Sequence, residues 1–396
     1  MELQGNAQLR VAGPHDLSAI KVLLADRGED ADAIDFELVV GDPDAGWPSA
    51  AVVVCDGMVV ATATLLNESV RIGATEIAVG QVEMVACAAD YEHRGYVRAL
   101  MQWCHERSIA LGHVAQVMIG IPYFYRRFGY VYAIPMHPYA TLQPIANIDT
   151  AVVVREAVDG DVADLVALHG DVQSQFDIAM PHSSSCWQWL LDREGTKTYV
   201  AERDGQIVAT ARWTPPEDES VLVSEVASLD PAATASLLNA VCNDPTVDVS
   251  VQLRPTIPGL AELLGEPARA DWFYVRIEDV AALLSALKPE LEARLGRSDF
   301  ANADQLVELS FWESQLAFPI VNGRIGQVTA GGPRQVIVSQ GGSGLPPDAV
   351  AHLVFGCGAP GIEARFPDAY LGDQRELMHV LFPAQRADLL TFYLPA

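Results

Sequence analysis

A short segment that occurs twice is the feature that most constrains how this chain can fold. Val53–Ala63 recurs as Ala201–Ala211, and Asp-Gly stands at the same place in both copies. Asp-Gly supplies the positive φ angles that a tight hairpin turn between two strands requires. Each segment therefore predicts a β-hairpin, and their recurrence indicates a tandem duplication.

A second match supports the duplication. Leu9–Ala12 is followed by Asp16 at a predicted helix start, and Val154–Ala157 is followed by Asp161 in the same way. An acidic residue is favourable there because it interacts with the partial positive charge at a helix N-terminus. The two matches occur in the same order, so we predict one unit over residues 1–147 and a related unit over residues 148–287.

The remaining residues, 288–396, have a different pattern. A helix is predicted to open at Lys288, strands at Leu306–Ser310 and Gln335–Ser339, and a further helix over Pro347–Phe355. Glycine-rich turns separate these segments. The predicted fold class is therefore mixed α/β and α+β, with two repeated units followed by a smaller α+β domain.

The charge balance excludes several classes of partner. The chain has 52 acidic residues against 25 Lys and Arg, which gives a formal net charge of −27. Nucleic acids and anionic membranes bind clustered Lys and Arg, so neither is an expected partner. An acidic surface attracts cations instead, including small molecules that carry several amines, although acidity can also serve solubility alone.

Segment composition and cysteine spacing indicate a cytoplasmic protein. No apolar run approaches the roughly 20 residues that span a bilayer, and the N-terminus lacks the pattern of a signal peptide. The six cysteines form no C-x-x-C pair and read as reduced thiols. No metal site is expected, because none of these histidines has a partner at ligand spacing: His93, His105, His113 and His137.

One run carries the pattern of a phosphate-binding turn. Val82–Cys87 is an apolar strand pattern, and Asp90–Gly95 is a turn that leads into a predicted helix. The apolar residues of that helix have the spacing of a single face: Val97, Leu100, Met101 and Cys104. A strand that feeds a helix through a glycine turn directs backbone N–H groups at a bound anion, which suits a pyrophosphate.

A second strand pattern, Val114–Ile121, leads into the more specific motif Phe124–Tyr130, which reads Phe-Tyr-Arg-Arg-Phe-Gly-Tyr. With these residues the chain resembles the GCN5-related N-acetyltransferase (GNAT) superfamily. There a pyrophosphate loop of the form Q/R-x-x-G-x-G/A precedes a segment that carries the catalytic tyrosine. Glu92 stands where the loop pattern has Gln or Arg, and Val97 stands at its second small residue.

The whole layout resembles the enhanced intracellular survival (Eis) family. In that family a working acetyltransferase unit is followed by a degenerate copy and a domain similar to sterol carrier protein 2 (SCP2). The second copy here has Asp230–Ala235 in place of the loop and Leu253–Pro258 in place of the tyrosine motif. The resemblance implies acetyl-CoA as cosubstrate, an aminoglycoside or polyamine as acceptor, and a homo-oligomer, specifically a hexamer.

The resemblance also implies roles for individual residues. Tyr125 would be the general acid, and the C-terminal carboxylate, here on Ala396, would be the general base. The backbone of Val85 and Cys87 would run beside the pantetheine arm of the cofactor. The loop and the first helical turn would hold the pyrophosphate: His93, Arg94, Gly95, Tyr96, Val97 and Arg98.

Several alternatives stay open from the residues themselves. Glu83 shares strand parity with Val85 and is a second candidate base, and a water relay would need no base residue. The acidic segment Asp26–Glu37 is a candidate for collecting a polycationic amine, or it is a solvated loop. The acceptor could instead be a protein or peptide amine, and the chain could be a non-catalytic acetyl-CoA-binding scaffold.

Overall fold

The chain folds into repeated α/β units. The computed structural model describes residues 3, 6–28, 30–193, 195–217, 220–241, 247–335 and 338–390. Its strands, in chain order, are β1 (Ala7–Val11), β2 (Ala50–Cys55), β3 (Met58–Ile72), β4 (Thr75–Cys87), β5 (Ala115–Met118), β6 (Val131–Pro135), β7 (Tyr139–Leu142), β8 (Val153–Glu156), β9 (Ile178–Met180), β10 (Lys197–Arg203), β11 (Gln206–Glu217), β12 (Ser220–Ser228), β13 (Asp248–Gln252), β14 (Leu264–Pro267), β15 (Trp272–Arg276), β16 (Gln305–Ser310), β17 (Gln315–Val321), β18 (Arg324–Ile325), β19 (Thr329–Gly331) and β20 (Ala387–Leu389).

Helices cover both faces of the sheets. In chain order they are α1 (Leu17–Arg27), α2 (Asp30–Gly41), α3 (Tyr96–Ala110), α4 (Val162–Gln173), α5 (Ser184–Asp192), α6 (Pro231–Val241), α7 (Val280–Ala286), α8 (Lys288–Gly296), α9 (Ala349–Phe355), α10 (Gly358–Arg365) and α11 (Arg375–Leu381). Within the described ranges, no helix is long and apolar enough to cross a membrane.

The two predicted copies build two sheets of matching design. The first sheet runs β1-β2-β3-β4-β5-β15-β6, and the second runs β8-β10-β11-β12-β13-β7-β14. Both contain one parallel pair in the middle, β4 with β5 and β12 with β13. The predicted Asp-Gly hairpins join β2 to β3 and β10 to β11, with positive φ at Asp56 and Asp204.

The main order of each sheet contains one strand from the other unit. The first sheet also includes β9, which pairs with β3, and β20, which pairs with β9. β15 lies between β5 and β6 of the first sheet, and β7 lies between β13 and β14 of the second. β7 precedes the predicted boundary at residue 147, and β15 precedes the one at residue 287. The two sheets therefore do not separate at residue 147, because the sixth strand of each sheet comes from the other side of that boundary.

The first sheet separates two apolar layers. On one face, α3 contributes Leu100 and Cys104 to a core with Val82 of β4. On the other face, α1 and α2 contribute Ile20 and Phe36 to a separate core. The site described below lies where β4 and β5 part between these layers.

The C-terminal region packs on the first sheet and shares its core. Val79 and Ala133 of that sheet lie in one continuous apolar cluster with Phe355 of α9 and Leu381 of α11. β16 confirms the strand predicted at Leu306–Ser310, and α9 confirms the helix predicted over Pro347–Phe355. The strand predicted over Gln335–Ser339 is wrong in its described part, because residues 338–340 form a 3₁₀ turn that Gly341 continues with a φ of 79°.

The strand exchange makes a prediction about fragments. A fragment of residues 1–147 lacks β15, so β5 and β6 would present unpaired edges, and unpaired edges favour aggregation. We expect this fragment to show no cooperative unfolding transition in urea, monitored by circular dichroism. Co-expression with residues 148–396 should restore a soluble complex, whereas cooperative unfolding of residues 1–147 alone would contradict the dependence on β15.

Candidate active site

An opening forms where β4 and β5 diverge. The two strands pair in parallel from Val79 opposite Ala115 to Gln81 opposite Val117. β5 then ends at Met118, while β4 continues to Cys87 with β3 on its other side. The backbone of β4 beyond Gln81, which includes Val85 and Cys87, therefore has no β5 partner and borders the opening.

The start of α3 presents free N–H groups at this opening. Gly95 is the N-cap with φ 83°, a left-handed conformation that favours glycine, and no side chain caps the helix. The first turn of α3 contains no acidic residue. Because the first N–H groups of a helix lack partners within it, this end can accept an anion.

Arginines flank that helix start with little competition from carboxylates. The guanidinium of Arg94 lies 4.6 Å from the centroid of the Tyr91 ring and donates to the carbonyl of Asp90. Arg98 is exposed, and within the described ranges it has no ion-pair or hydrogen-bond partner. The negative charge of Glu92 is paired with Arg27 at the end of α1, which removes it as an obstacle to an anion.

Of the remaining loop residues, His93 is exposed and Val97 is half-buried. Tyr96 is buried, and its hydroxyl lies 3.8 Å from the sulfur of Cys55. The Tyr96 side chain therefore belongs to the core, and only the backbone N–H of Tyr96 is left for the predicted contact with a pyrophosphate.

Tyr125 is fixed in the wall of the opening. It lies in a 3₁₀ turn, Phe124–Phe128, and is only 5% exposed. Its ring contacts several aromatic rings at centroid distances between 5.0 and 6.4 Å: Phe124, Phe128, Tyr130 and Tyr274. Burial, and secondarily the nearby carboxyl of Glu83, raise the pKa of Tyr125, so its hydroxyl stays protonated.

Glu83 lies in a buried acidic region beside the opening. It is 6% exposed, and its carboxylate accepts a hydrogen bond from the amide of Gln81. Burial raises the pKa of Glu83 well above its ordinary value, and the charges of Asp32, Glu68 and Asp35 raise it further. The same residues that crowd Glu83 thus favour a bound cation over a bound anion on this side of the site.

The acidic segment Asp26–Glu37 is mostly helical. Asp35 is fully buried and pairs with Arg193 at 2.7 Å, and burial raises the pKa of Asp35 to about 6. Glu37 pairs with Lys21 on the surface. The segment therefore contributes Asp32 and Asp35 to the acidic region and uses Glu37 for a surface contact.

The second copy lacks an equivalent anion site. Asp230 precedes α6, and its carboxylate accepts the N–H groups of Ala232 and Ala233 at 2.8 and 3.4 Å. Pro231 has no N–H to offer. The start of α6 is therefore occupied by a side chain of its own, whereas the start of α3 is open.

The structure brings most of the predicted site residues to one place. Val82, Tyr96, Met118 and Tyr125 share one apolar cluster, against which the following residues pack: Val85, Cys87, Val97 and Phe124. Ala396, the predicted source of the base, lies outside the described residues. No cluster of metal-ligating side chains occurs within the described ranges.

Sequence reasoning missed three residues of the site. Tyr274 of β15 packs against Tyr125, although it belongs to the second unit. The side-chain amide of Gln81 donates a hydrogen bond to the carboxylate of Glu83, and Gly120 lies directly against the Tyr125 ring. Gly120 lies just before the tyrosine motif, so its place in the sequence could have indicated a close contact with Tyr125. No local pattern indicates Tyr274, because its contact with Tyr125 depends on the strand exchange.

Comparison with known families agrees with this geometry. Residues 44–133 match the family model of the acetyltransferase (GNAT) domain. The matched range contains the β4 opening, the start of α3 and Tyr125. The chain therefore contains an acetyltransferase domain of the GNAT family, as the two motifs predict.

Solved structures share the fold over nearly the whole chain. A GCN5-related N-acetyltransferase from Anabaena variabilis has 15% identity and a TM-score of 0.72, covering 97% of this chain and 98% of that one. The corresponding protein from Kribbella flavida has 18% identity and a TM-score of 0.68, covering 98% and 100%. Eis1 from Mycobacterium abscessus has 13% identity and a TM-score of 0.64, covering 97% and 99%.

At these identities the likeness establishes a shared fold and not a shared substrate. No curated protein sequence matches the chain significantly. The mixed α/β fold with GNAT-like sheets is confirmed, and the likeness of residues 288–396 to SCP2 stays a prediction.

Gly120 gives a direct test of how Tyr125 is held. A Cβ added at Gly120 would lie 2.5 and 2.7 Å from two ring carbons of Tyr125. We expect Gly120→Ala to lower the free energy of unfolding by about 1–3 kcal/mol, as overpacking does, measured by urea denaturation. Gly170→Ala is the matched control, since a Cβ there meets open space on α4; equal stability of the two variants would contradict the close packing.

Proposed function

We propose that this protein transfers the acetyl group of acetyl-CoA to a primary amine of a cationic small molecule, of the aminoglycoside or polyamine type. Transfer would be direct, within a ternary complex. The observation that carries the proposal is the convergence of three features at one opening. They are the unpaired edge of β4, the uncapped start of α3 and the protonated hydroxyl of Tyr125.

The residues present fit the cosubstrate. The N–H groups of Gly95, Tyr96 and Val97 would bind the pyrophosphate, with Arg94, His93 and Arg98 beside it. The pairing of Glu92 with Arg27 supports this fit, because it balances the negative charge of Glu92. The backbone of Val85 and Cys87 would run along the pantetheine arm, and acetyl-CoA would supply an activated thioester.

Two groups would stabilise the negative charge that develops on the thioester oxygen and on the leaving sulfur. The backbone N–H of Cys87 would donate to the thioester oxygen, the position where negative charge develops during acyl transfer. Tyr125 would donate its proton to the leaving sulfur, which is general-acid catalysis. Its raised pKa supports this role, because the phenol keeps its proton throughout the neutral range.

Three candidates exist for removing the proton of the amine: Glu83, the C-terminal carboxylate of Ala396, and a water. Glu83 is supported by its position beside the opening and by its raised pKa. A carboxylate is a more effective general base when its pKa lies nearer to the working pH.

The acidic region supports a cationic acceptor. The carboxyls of Asp32, Glu68 and Asp35 lie close enough to raise the pKa of Glu83, and the pKa of Glu68, raised by burial and by Asp42, is about 8. Carboxyls crowded in this way repel one another when ionised. A ligand that carries several ammonium groups would relieve that repulsion, whereas a single peptide amine would relieve less of it.

The remaining features of the proposal concern the rest of the chain. Residues 1–147 would form the catalytic unit, residues 148–287 a structural repeat without cofactor, and residues 288–396 an SCP2-like domain. The self-capped start of α6 supports the second assignment. The homo-oligomer and the cytoplasmic location stay predictions.

Removal of the Tyr125 hydroxyl tests the catalytic role. We expect Tyr125→Phe to lower kcat by about 10²–10⁴-fold, the usual contribution of a general acid, with little change in affinity for CoA. The measurement is CoA release, detected by thiol reagent, with aminoglycosides, polyamines and lysine peptides as acceptors. Tyr123→Phe is the matched control, because Tyr123 directly precedes the same motif but is exposed.

The results with the different acceptors distinguish between the candidate functions. Turnover with cationic small molecules supports the proposal, and turnover with lysine peptides alone would favour a protein acceptor. CoA binding without turnover on any amine would favour a non-catalytic scaffold.

The pH dependence of the reaction tests Glu83. A base must be deprotonated to act, so kcat/KM should rise as pH increases through the raised pKa of Glu83. Glu83→Gln should lower kcat/KM and remove this acidic limb, measured between pH 5 and 9 (a range of roughly two units on either side of neutral). Glu37→Gln, a surface acid, controls for the lost charge; an unchanged limb in Glu83→Gln would assign the base to another group.

A further inference from the structure

Helix α5 of the second copy packs beside the acidic region of the first. Trp189 of α5 packs against an apolar cluster that contains Phe36 of α2 and Met84 of β4. Near the start of the same helix, the hydroxyl of Ser185 donates to the carboxylate of Asp44 at 3.5 Å. Because Phe36 and Met84 each adjoin a carboxylic acid of the acidic region in the chain, α5 borders that region.

One buried ion pair joins the two copies at the end of α5. Arg193 directly follows the helix, and its Nη2 donates to Oδ2 of Asp35 on α2 at 2.7 Å. Asp35 is 0% exposed and Arg193 is 8% exposed. The other oxygen, Oδ1 of Asp35, has no hydrogen-bond partner among the residues that the structure describes. Since burial strongly disfavours a charged carboxylate, the ionised form of Asp35 depends on the cation from the second copy.

Two further charged groups face Asp35. Burial raises the pKa of Asp35 to about 6 and Asp32 of α2 acts in the same direction, whereas Arg193 and Arg212 of β11 act in the opposite one. Arg212 forms its own ion pair with Glu225 at 2.6 Å. Arg193 is therefore the cation that both contacts Asp35 directly and keeps the pKa of Asp35 from rising further.

Glu83 faces titratable groups from several elements: Asp32 and Asp35 of α2, Glu68 of β3, and Tyr125 of the 3₁₀ turn. Burial is the main reason for the raised pKa of Glu83, the three carboxyls raise it further, and the hydrogen bond from Gln81 lowers it. An ionised Asp35 opposes a second negative charge on Glu83. The protonation state of Asp35 therefore affects how readily Glu83 holds a proton.

We propose that Arg193 is a positioning residue supplied by the second copy: its ion pair holds Asp35 in place as a carboxylate, and this carboxylate strengthens Glu83 as the acceptor of the amine proton. The inference rests on the proposed acetyl transfer with Glu83 as its base. It gives the second copy a part in the chemistry of the first, through a charge that reaches across the boundary between them.

The first test is the pH dependence of kcat/KM in variants of the full chain. In Arg193→Met, Asp35 should bind a proton at neutral pH, so its repulsion of Glu83 is lost and the pKa of Glu83 falls. The acidic limb should then move to lower pH by about one unit, the order of shift that one nearby charge gives inside a protein. Arg193→Lys keeps the positive charge and should retain the limb of the wild type.

A double variant and a control show whether the effect passes through Asp35. Adding Asp35→Asn to Arg193→Met should move the limb no further, because Asp35 is already neutral in the single variant. Arg71→Met is the matched control, since Arg71 of β3 also crosses between the copies but donates to the backbone carbonyls of Gln173 and Phe176. A limb that stays in place or moves to higher pH in Arg193→Met, or that moves equally in Arg71→Met, would overturn the positioning role.

The second test needs no acetyl transfer. The pKa of Asp35 is raised in the folded protein, so its contribution to stability is lost as pH rises through that raised pKa. Arg193→Met should raise the pKa of Asp35 further, and the urea midpoint should then fall more between about pH 6 and 8 than it does in the wild type. Adding Asp35→Asn should remove this excess.

The two tests separate the inference from the proposed function. If the wild type acetylates no amine, the proposed function fails and the urea comparison still reports on the ion pair. Equal pH dependence of the urea midpoint in the wild type and in Arg193→Met would overturn the effect of Arg193 on Asp35, whatever the activity of the protein.

Discussion

An exchange of strands completes both sheets, with β7 entering the second sheet and β15 entering the first. Neither sheet is continuous without the strand that the other unit supplies. The exchange also affects the candidate site, because Tyr274 of β15 packs against Tyr125 in the wall of the opening. Tyr125 of the first copy is therefore held by a residue of the second, which gives a physical reason for the two units to stay together.

Electrostatics divide the opening into two sides. At the start of α3 the backbone offers free N–H groups, and Arg98 and Arg94 have no carboxylate partner among the described residues. On the other side, burial raises the pKa of Glu83, and the nearby carboxyls of Asp32, Glu68 and Asp35 raise it further. In a chain with a net charge of −27, this local contrast favours an anion at the start of α3 and a cation beside Glu83.

Sequence patterns predicted the elements of the site because each depends on neighbouring residues. The Asp-Gly hairpins, the strand at Val82–Cys87 and the helix after Gly95 follow from turn chemistry and apolar spacing. The strand predicted at Gln335–Ser339 failed in its described part because the following glycine continues a turn. The pairing of Glu92 with Arg27 had no signal in the sequence, since α1 and the loop meet only in the fold.

The duplication, the local elements, the loop and tyrosine motifs and the acidic character of the chain can all be read from the amino-acid sequence. Only the folded chain shows which strands are exchanged, which rings surround Tyr125, and which cation pairs with Glu92. The physical reason lies in the range of the information. Turn residues and side-chain periodicity act between near neighbours, whereas the partner of a buried charge or of an open sheet edge is selected only when distant segments exclude water together.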